Sequence, residues 1–350
     1  MAMRIPGERV GRSAVRSLAQ VPARVGVRRD TLPPGAAPPS RTGAARRAAY
    51  RMAMDRLLAE PDKDPQVLPV VADDDTPIHV VARGPVDGVP IVFTHGWACS
   101  SRVWNAQVNE LSSRFRVICY DQRGHGRTPS GAAPATLDTL ADDLSAVLRS
   151  TISSGRPAIL VGHSMGGMTI SAWAGRRPDE VTEYARAVML ASTASNRLLH
   201  DFGVLPFPER LPGAFTLGRA AMAAPVSSTL LPSWGFQYVS LGADATPAQV
   251  AFSREIVNAC RARVRGRWGT AMSELDVREG LENLVVPTTV LVGTGDRLTP
   301  PVHARRMAET LREAGNLERM VELDGVGHMT QVEAPYEVNA QIRHLEYCSE

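Results

Sequence analysis

The stretch 158–169 restricts the possible folds of this chain more than any other. It reads A-I-L-V-G-H-S-M-G-G-M-T. The run A-I-L-V has the length of a buried strand, and the apolar pattern after G-G has helical spacing. Between them, G-H-S-M-G matches G-x-S-x-G, the sharp strand-to-helix turn that holds a serine in a strained conformation with its hydroxyl exposed. The stretch therefore predicts a strand-turn-helix unit of an α/β sheet, with Ser164 at the turn.

Length and composition predict one large globular unit. The chain has 350 residues, of which 44% are hydrophobic, so it can bury the core of a single α/β domain with an insertion. Its four cysteines are scattered and have neither the density of a disulfide scaffold nor the C-x-x-C spacing of a metal site. No run reaches 18 apolar residues, and the first residues lack the apolar segment of a secretory signal. We expect a cytoplasmic protein.

The charge is distributed unevenly along the chain. Residues 1–60 hold 12 arginines against 4 acidic residues, whereas the rest holds 27 basic against 32 acidic residues. The body therefore shows no basic stripe for nucleic acid. Residues 1–60 are predicted to form a basic, largely disordered tail, because residues 1–48 are rich in Arg, Ala, Pro and Gly. A helix is expected near its end, over 44–60, either packed on the outside of the domain or mobile. A second interpretation places the tail weakly on an anionic membrane surface.

Strand-like and helical patterns alternate through most of the chain, which predicts a mostly parallel sheet covered by helices on both faces. The core would comprise residues 61–195 and 281–350. The predicted strands are 67–71, 78–81, 91–93, 117–120, 158–161, 187–191, 288–292 and 319–323.

The alternation stops between the sixth and seventh predicted strands, which indicates an inserted helical cap over 196–280. This segment holds 8 of the 18 aromatic residues. Such residues form a small core of the cap, line an apolar substrate pocket above Ser164, or do both. The residues expected at the pocket are His95, Phe202, Phe207, Trp234 and Phe236.

A serine nucleophile needs two partners, and the sequence supplies both. The hydroxyl requires a general base, and the base requires a group that orients it and stabilises its charged form. Asp296 follows the predicted strand 288–292, and His328 follows the last predicted strand. Both therefore lie at the carboxyl edge of the sheet, where α/β proteins place their sites. The order Ser164, Asp296, His328 suits this architecture. Asp324 remains an alternative orienting acid.

Four motifs together resemble the α/β-hydrolase family, in its serine-nucleophile, carboxylesterase- or lipase-like branch. They are H-G-W at 95–97, G-H-S-M-G-G at 162–167, G-D at 295–296 and G-H at 327–328. The resemblance extends from about residue 67 to the C-terminus. It implies an α/β-hydrolase fold, with a mostly parallel eight-stranded sheet flanked by helices and a helical cap inserted after the sixth strand.

The resemblance also implies acyl-transfer chemistry. Ser164 would attack a carbonyl, His328 would relay the proton and Asp296 would fix the imidazole. The backbone N–H groups of Trp97 and Met165 would hold the oxyanion. In the matched motifs, His95, His125 and His163 would support turns by hydrogen bonding. Independently of the resemblance, Cys99 is expected to be a packing residue, because the sequence shows no partner that would stabilise its thiolate. We expect neither cofactor nor metal.

The predicted reaction is hydrolysis of a small-molecule carboxylic ester with a small to medium apolar acyl group. Cofactor-free perhydrolysis of the haloperoxidase-like type, C–C bond hydrolysis and aminopeptidase action use the same triad and remain alternatives. A non-catalytic ligand receptor on the same scaffold is an alternative of another class, which an intact triad disfavours. The sequence does not predict an oligomeric state.

Overall fold

The computed structural model of the protein describes residues 25–27, 43–62, 64–153, 155–201, 214–224 and 231–348. Its strands are β1 (Val25–Val27), β2 (Gln66–Val71), β3 (Pro77–Arg83), β4 (Pro90–Thr94), β5 (Arg116–Tyr120), β6 (Ala158–His163), β7 (Ala185–Ala191), β8 (Thr288–Gly293) and β9 (Leu317–Leu323). Its α-helices are α1 (Gly43–Leu57), α2 (Asn105–Leu111), α3 (Leu137–Thr151), α4 (Met165–Arg176), α5 (Pro178–Tyr184), α6 (Ala214–Ala223), α7 (Ser233–Ser240), α8 (Pro247–Ala259), α9 (Ala262–Ser273), α10 (Arg278–Glu282), α11 (Pro301–Glu313), α12 (Thr330–Glu333) and α13 (Pro335–Cys348). A 3₁₀ turn, Ser101–Trp104, precedes α2.

The strands of the described residues form one sheet in the order β1-β9-β8-β7-β6-β4-β5-β3-β2. Strand β3 pairs antiparallel with β2 and with β5, and the other pairs are parallel. The predicted mostly parallel sheet of eight strands, β2 to β9, is confirmed. The short strand β1 is an addition: it pairs with β9 and forms the edge of the sheet, although composition predicted disorder for this part of the tail.

Alternate residues of the central strands bury opposite faces of the sheet, as the pleat requires. In β4, Ile91 and Phe93 belong to one apolar core, and Val92 belongs to the core on the other face. The same alternation continues in β6, where Ile159 and Leu160 point to opposite cores. Both faces are covered, so these strands read as continuous apolar runs in the sequence.

Helix α1 packs on the sheet domain, although the expected division counted it with the tail. The Tyr50 hydroxyl donates a hydrogen bond of 2.8 Å to Glu337 Oε1. Met54 and Leu58 are buried, and Asn105 Nδ2 donates to Leu58 O at 3.2 Å. Helix α1, which lies before residue 61, therefore packs on the sheet domain.

The insertion between β7 and β8 contains α6 to α10 in its described residues. Phe202 and Phe207 lie outside the described residues. Met222 of α6 and Trp268 of α9 share an apolar cluster with Met165 and Met168 of α4. The insertion thus packs directly on the helix that follows Ser164. Within the described residues, no helix has both the length and the apolar character needed to cross a membrane.

Candidate active site

Ser164 occupies the turn between β6 and α4 in a strained conformation. Its φ is 52° and its ψ is −122°, a region that residues with a Cβ atom rarely adopt. The turn is tight enough to require glycines. A Cβ atom on Gly166 would lie 2.0 Å from Thr94 O, and one on Gly162 would lie 2.7 Å from the Gly166 backbone. The sharp turn leaves the Ser164 side chain at the carboxyl edge of the sheet, with 7% of the residue exposed.

Neighbouring strands hold the Ser164 backbone in this conformation. Its N–H donates to Ala191 O of β7 at 3.0 Å. Its carbonyl accepts a hydrogen bond of 2.7 Å from Thr193 Oγ1. Because these contacts come from the segment next to β6, packing of the sheet over-determines the strained residue.

Asp296 and His328 form a buried pair. His328 Nδ1 lies 2.9 Å from Asp296 Oδ2 and 3.1 Å from Oδ1. The carboxylate also accepts the backbone N–H groups of Leu298 and Thr299 at 2.9 Å and the Thr299 hydroxyl at 2.8 Å. Burial raises the pKa of Asp296, but the charge and hydrogen bond of His328 and the Thr299 donors outweigh it, so the pKa lies below its usual value. The exposed Asp324 instead accepts from Thr294 Oγ1 at 3.4 Å.

His163 connects the His328 loop to the turn of Ser164. Its Nε2–H donates to His328 O at 2.9 Å, and the two rings lie 4.8 Å apart. Burial lowers the pKa of His163 to about 3, so the ring is neutral and supports the loop rather than moving protons. Among the described residues, no hydrogen bond joins the Ser164 hydroxyl to the His328 ring. Instead, His163, which precedes Ser164 in the chain, contacts the backbone of His328.

His95 and His125 brace the loop that follows β4. His95 Nδ1 donates to Gly96 O at 2.8 Å, and its Nε2 accepts the Gln122 N–H at 2.9 Å. His125 Nε2 accepts the Ala98 N–H at 3.2 Å. Burial lowers the pKa of both rings, that of His125 to about 3. Both therefore act as neutral supports. His95 has no exposed surface, so the structure gives it no face toward a substrate.

The loop after β4 lies directly against the serine turn. A Cβ atom on Gly96 would lie 3.1 Å from Ser164 Cβ and 2.8 Å from His163 Nδ1. The next residue, Trp97, is fixed from the insertion, because its Nε1–H donates to Arg265 O of α9 at 3.0 Å. Met165 is the first residue of α4, where backbone N–H groups have no partner within the helix. Both N–H groups expected at an oxyanion site thus belong to segments that adjoin Ser164.

The expected pocket residues do not gather at one place. Trp234 is 75% exposed and lines a surface groove of about 580 Å³ between α7 and α8, which none of Ser164, Asp296 and His328 lines. Phe236 is 2% exposed and belongs to the main apolar core. These two aromatic residues are separated by one position on α7, and the helix turns them to different surroundings.

Two buried residues at the site were not predicted. Glu333 accepts the backbone N–H groups of Gly327 at 3.1 Å and of Gly242 at 2.7 Å, so it joins the His328 loop to the insertion. No local sequence signal indicates this contact, since Gly242 lies 91 residues away. Thr299 follows Asp296 by three residues, a spacing typical of carboxylates that accept backbone N–H groups at a turn. That signal was available in the sequence.

The fold is that of an α/β hydrolase. Residues 91–341 match the alpha/beta hydrolase family, and the chain belongs to this family. The predicted family resemblance is therefore confirmed.

Similar proteins extend over most of the chain. It is 31% identical over 255 residues to a non-heme chloroperoxidase of Streptomyces lividans, covering 70% of this chain and 88% of that protein. It is 28% identical over 264 residues to a bifunctional esterase/perhydrolase of Acinetobacter calcoaceticus, covering 69% of this chain and 87% of that protein. The structure of a thermophilic esterase from Thermogutta terrifontis shares its fold, with a TM-score of 0.65, 22% identity, and coverage of 82% of this chain and 99% of that chain.

Proposed function

We propose that the protein is a serine hydrolase that cleaves carboxylic esters through an acyl-enzyme on Ser164. The observation that carries the proposal is the buried Asp296–His328 pair, whose loop is bonded through His163 to the strained turn of Ser164. A charged carboxylate on Nδ1 leaves His328 Nε2 free to accept a proton. This arrangement supplies a nucleophile, a base and an orienting acid from three separate loops.

The reaction would proceed in two stages. His328 Nε2 takes the hydroxyl proton as Ser164 Oγ attacks the ester carbonyl, and the tetrahedral intermediate collapses to the acyl-enzyme while the leaving alcohol receives that proton. Water then attacks the acyl-enzyme in the same way and releases the carboxylic acid. Asp296 remains ionised throughout and stabilises the imidazolium.

The backbone N–H groups of Trp97 and Met165 would stabilise the oxyanion in both stages. The contact of Gly96 with Ser164 supports this role for the loop, and the position of Met165 at the start of α4 adds the positive end of the helix dipole. Loss of one such donor costs about 10²- to 10³-fold in kcat.

The helix that follows Ser164 is apolar and is covered by the insertion. Met165 and Met168 of α4 are buried in a cluster with Met222, Val264 and Trp268 of the insertion. An acyl group that enters between α4 and the insertion would meet apolar side chains, and methionine side chains can repack around an aliphatic chain. This packing supports a cap over the serine and an ester of small to medium chain length.

Perhydrolysis is the second candidate, because two relatives are named chloroperoxidase and esterase/perhydrolase. It uses the same acyl-enzyme, with hydrogen peroxide in place of water as the acceptor. The two reactions are distinguished by the product, a peracid or a carboxylic acid.

Active-site labelling tests the proposal. A fluorophosphonate should label the wild-type protein at one site. Ser164→Ala should abolish this labelling and lower the turnover of p-nitrophenyl butyrate by several orders of magnitude. Ser192→Ala is the matched control, because Ser192 likewise follows a central strand, β7, and has a positive φ of 44°. It should keep labelling and activity. Labelling that persists in folded Ser164→Ala protein would contradict the mechanism.

A further inference from the structure

A second group of chemically reactive side chains lies on β9 and α13, in a part of the fold that the proposed reaction does not use. It consists of Glu318, His344 and Cys348, each of which offers one ligand atom, and all three atoms lie within 4.8 Å of one another. His344 and Cys348 are four residues apart on α13, which places them one above the other on one helix face. Glu318 reaches the same point from β9. We propose that these three residues bind a zinc ion.

The distances between the donor atoms fit a single ion. His344 Nε2 lies 2.7 Å from Glu318 Oε1 and 3.1 Å from Cys348 Sγ, and Sγ lies 3.4 Å from the same carboxylate oxygen. Zinc bonds of about 2.0 to 2.3 Å in a tetrahedral arrangement place ligand atoms roughly 3.3 to 3.6 Å apart. Shifts of a few tenths of an ångström therefore convert the observed triangle into a coordination site.

Convergence on one ring nitrogen distinguishes this group from a proton relay. In a Cys–His–Glu relay, the thiol and the carboxylate contact different nitrogens of the imidazole. Here both approach His344 Nε2 most closely, since Cys348 Sγ lies 3.1 Å from Nε2 and 3.9 Å from Nδ1, and Nε2 has only one hydrogen or one lone pair to share. Several donors directed at one point are what an ion requires.

The donor types select the ion. A thiolate and an imidazole suit Zn²⁺, whereas Mg²⁺ and Ca²⁺ prefer sites made of oxygen ligands. Three protein ligands leave a fourth position for water. Cys348 is exposed, so an ion has access from solvent. The sequence predicted no metal because Glu318 is 26 residues from His344 and no C-x-x-C motif is present.

The guanidinium group of Arg319 lies beside the proposed zinc ligands. Its Nη2 donates to His344 Nδ1 at 3.2 Å and lies 2.5 Å from Nε2 and 3.9 Å from Glu318 Oε1. A zinc ion must displace this guanidinium, whose remaining contact to Gln341 Oε1 is long, at 3.4 Å. Removing the positive charge of Arg319 should therefore tighten zinc binding.

Metal titration of the full chain tests the proposal. Protein stripped with a chelator should bind one Zn²⁺ per chain, measured by competition with a chromogenic zinc indicator. Co²⁺ should produce a thiolate-to-cobalt charge-transfer band. Cys348→Ser should abolish that band and weaken zinc binding by about tenfold or more. His344→Gln and Glu318→Gln should weaken zinc binding similarly. Arg319→Gln should strengthen it roughly tenfold.

The control variant is Glu322→Gln, on the same strand, whose carboxylate pairs with Arg305. It should bind zinc as the wild type does. Zinc should also raise the unfolding temperature of the wild type by a few degrees and leave Cys348→Ser unchanged. Absence of the cobalt band in wild-type protein would overturn the proposal. Zinc binding that survives unchanged in folded Cys348→Ser would also overturn it, since the ion would then lie elsewhere, for example at His328.

Discussion

The Glu333 carboxylate accepts the backbone N–H of Gly327 at 3.1 Å from both of its oxygens, immediately before His328 in the chain. One of these oxygens also accepts the Gly242 N–H of the insertion at 2.7 Å. Glu333 is buried, so these N–H groups have no water to replace it. A single side chain thus ties the proposed general base to the inserted helices.

Glu333→Gln replaces one of the two oxygens near the buried Gly327 N–H by an amide donor, which cannot accept that N–H and is directed toward it. We expect a loss of about 1 to 3 kcal/mol in the free energy of unfolding. We also expect kcat to fall about tenfold with little change in KM, because His328 is displaced while the apolar surface remains. Urea unfolding and ester kinetics measure the two effects. Exposed Glu282→Gln is the control, and an unchanged kcat in Glu333→Gln would remove the positioning role.

The orienting acid can be identified by comparing two aspartates. Asp296→Asn should lower kcat/KM by about 10³- to 10⁴-fold, because an amide favours the wrong imidazole tautomer and does not stabilise the imidazolium. Asp324→Asn should change it by less than about threefold, because Asp324 is exposed and contacts Thr294. Steady-state kinetics of both folded variants provide the comparison. The reverse ranking would reassign the orienting role to Asp324.

Buried neutral histidines should make the protein sensitive to acid. The pKa of His163 and of His125 is about 3 in the folded protein against an ordinary value of 6.5, so the unfolded chain binds more protons between these values. The free energy of unfolding should therefore fall as pH decreases through this window. His163→Gln retains a donor for His328 O and should reduce the slope by up to about 1.4 kcal/mol per pH unit.

Urea titrations at several pH values between 7 and 4 measure this slope. The wild type, measured under the same conditions, is the reference for the slope. An identical slope in His163→Gln and wild type would show that His163 is protonated in the folded state.

Chain length of the ester should affect the rate through burial of methylenes. Each added methylene contributes about 0.8 kcal/mol, or roughly fourfold in kcat/KM, until the pocket is full. p-Nitrophenyl butyrate and hexanoate should therefore be better substrates than acetate. Met222→Ala should move the optimum to longer chains, whereas Trp234→Ala should not, because Trp234 lies in the outer groove. A preference for acetate, or a shifted optimum in Trp234→Ala, would contradict this pocket.

Two truncations should distinguish the contribution of residues 1–42 to stability and activity from that of α1. Removal of residues 1–42 should keep kcat/KM within a factor of about three, which is under 1 kcal/mol. Removal of residues 1–59 also deletes the buried Met54 and the Tyr50 hydrogen bond to Glu337, and should destabilise the protein by several kcal/mol. Thermal unfolding and ester kinetics of both truncated proteins provide the readout. Equal stability of the two would show that α1 does not contribute to the fold.

The sequence by itself determined the class of fold and the order of its functional motifs. Strands buried on both faces appear as apolar runs in the sequence. The turn at Ser164 requires glycines, because an added Cβ atom would lie as close as 2.0 Å to the backbone. Both features can therefore be recognised from a short stretch of sequence. The proximity of Asp296 and His328 could be predicted because each follows a strand, and parallel strands end at a common edge.

Only the tertiary structure decided which distant groups meet. The spacing of apolar residues does not indicate which side of α7 faces the core. The sequence therefore predicted a pocket position equally for Phe236, which is buried, and for Trp234, which is exposed. The contact of Glu333 with Gly242 and the convergence of Glu318 on His344 join segments 91 and 26 residues apart. Such contacts depend on how helices pack over the sheet, which is a property of the whole chain and not of any local stretch.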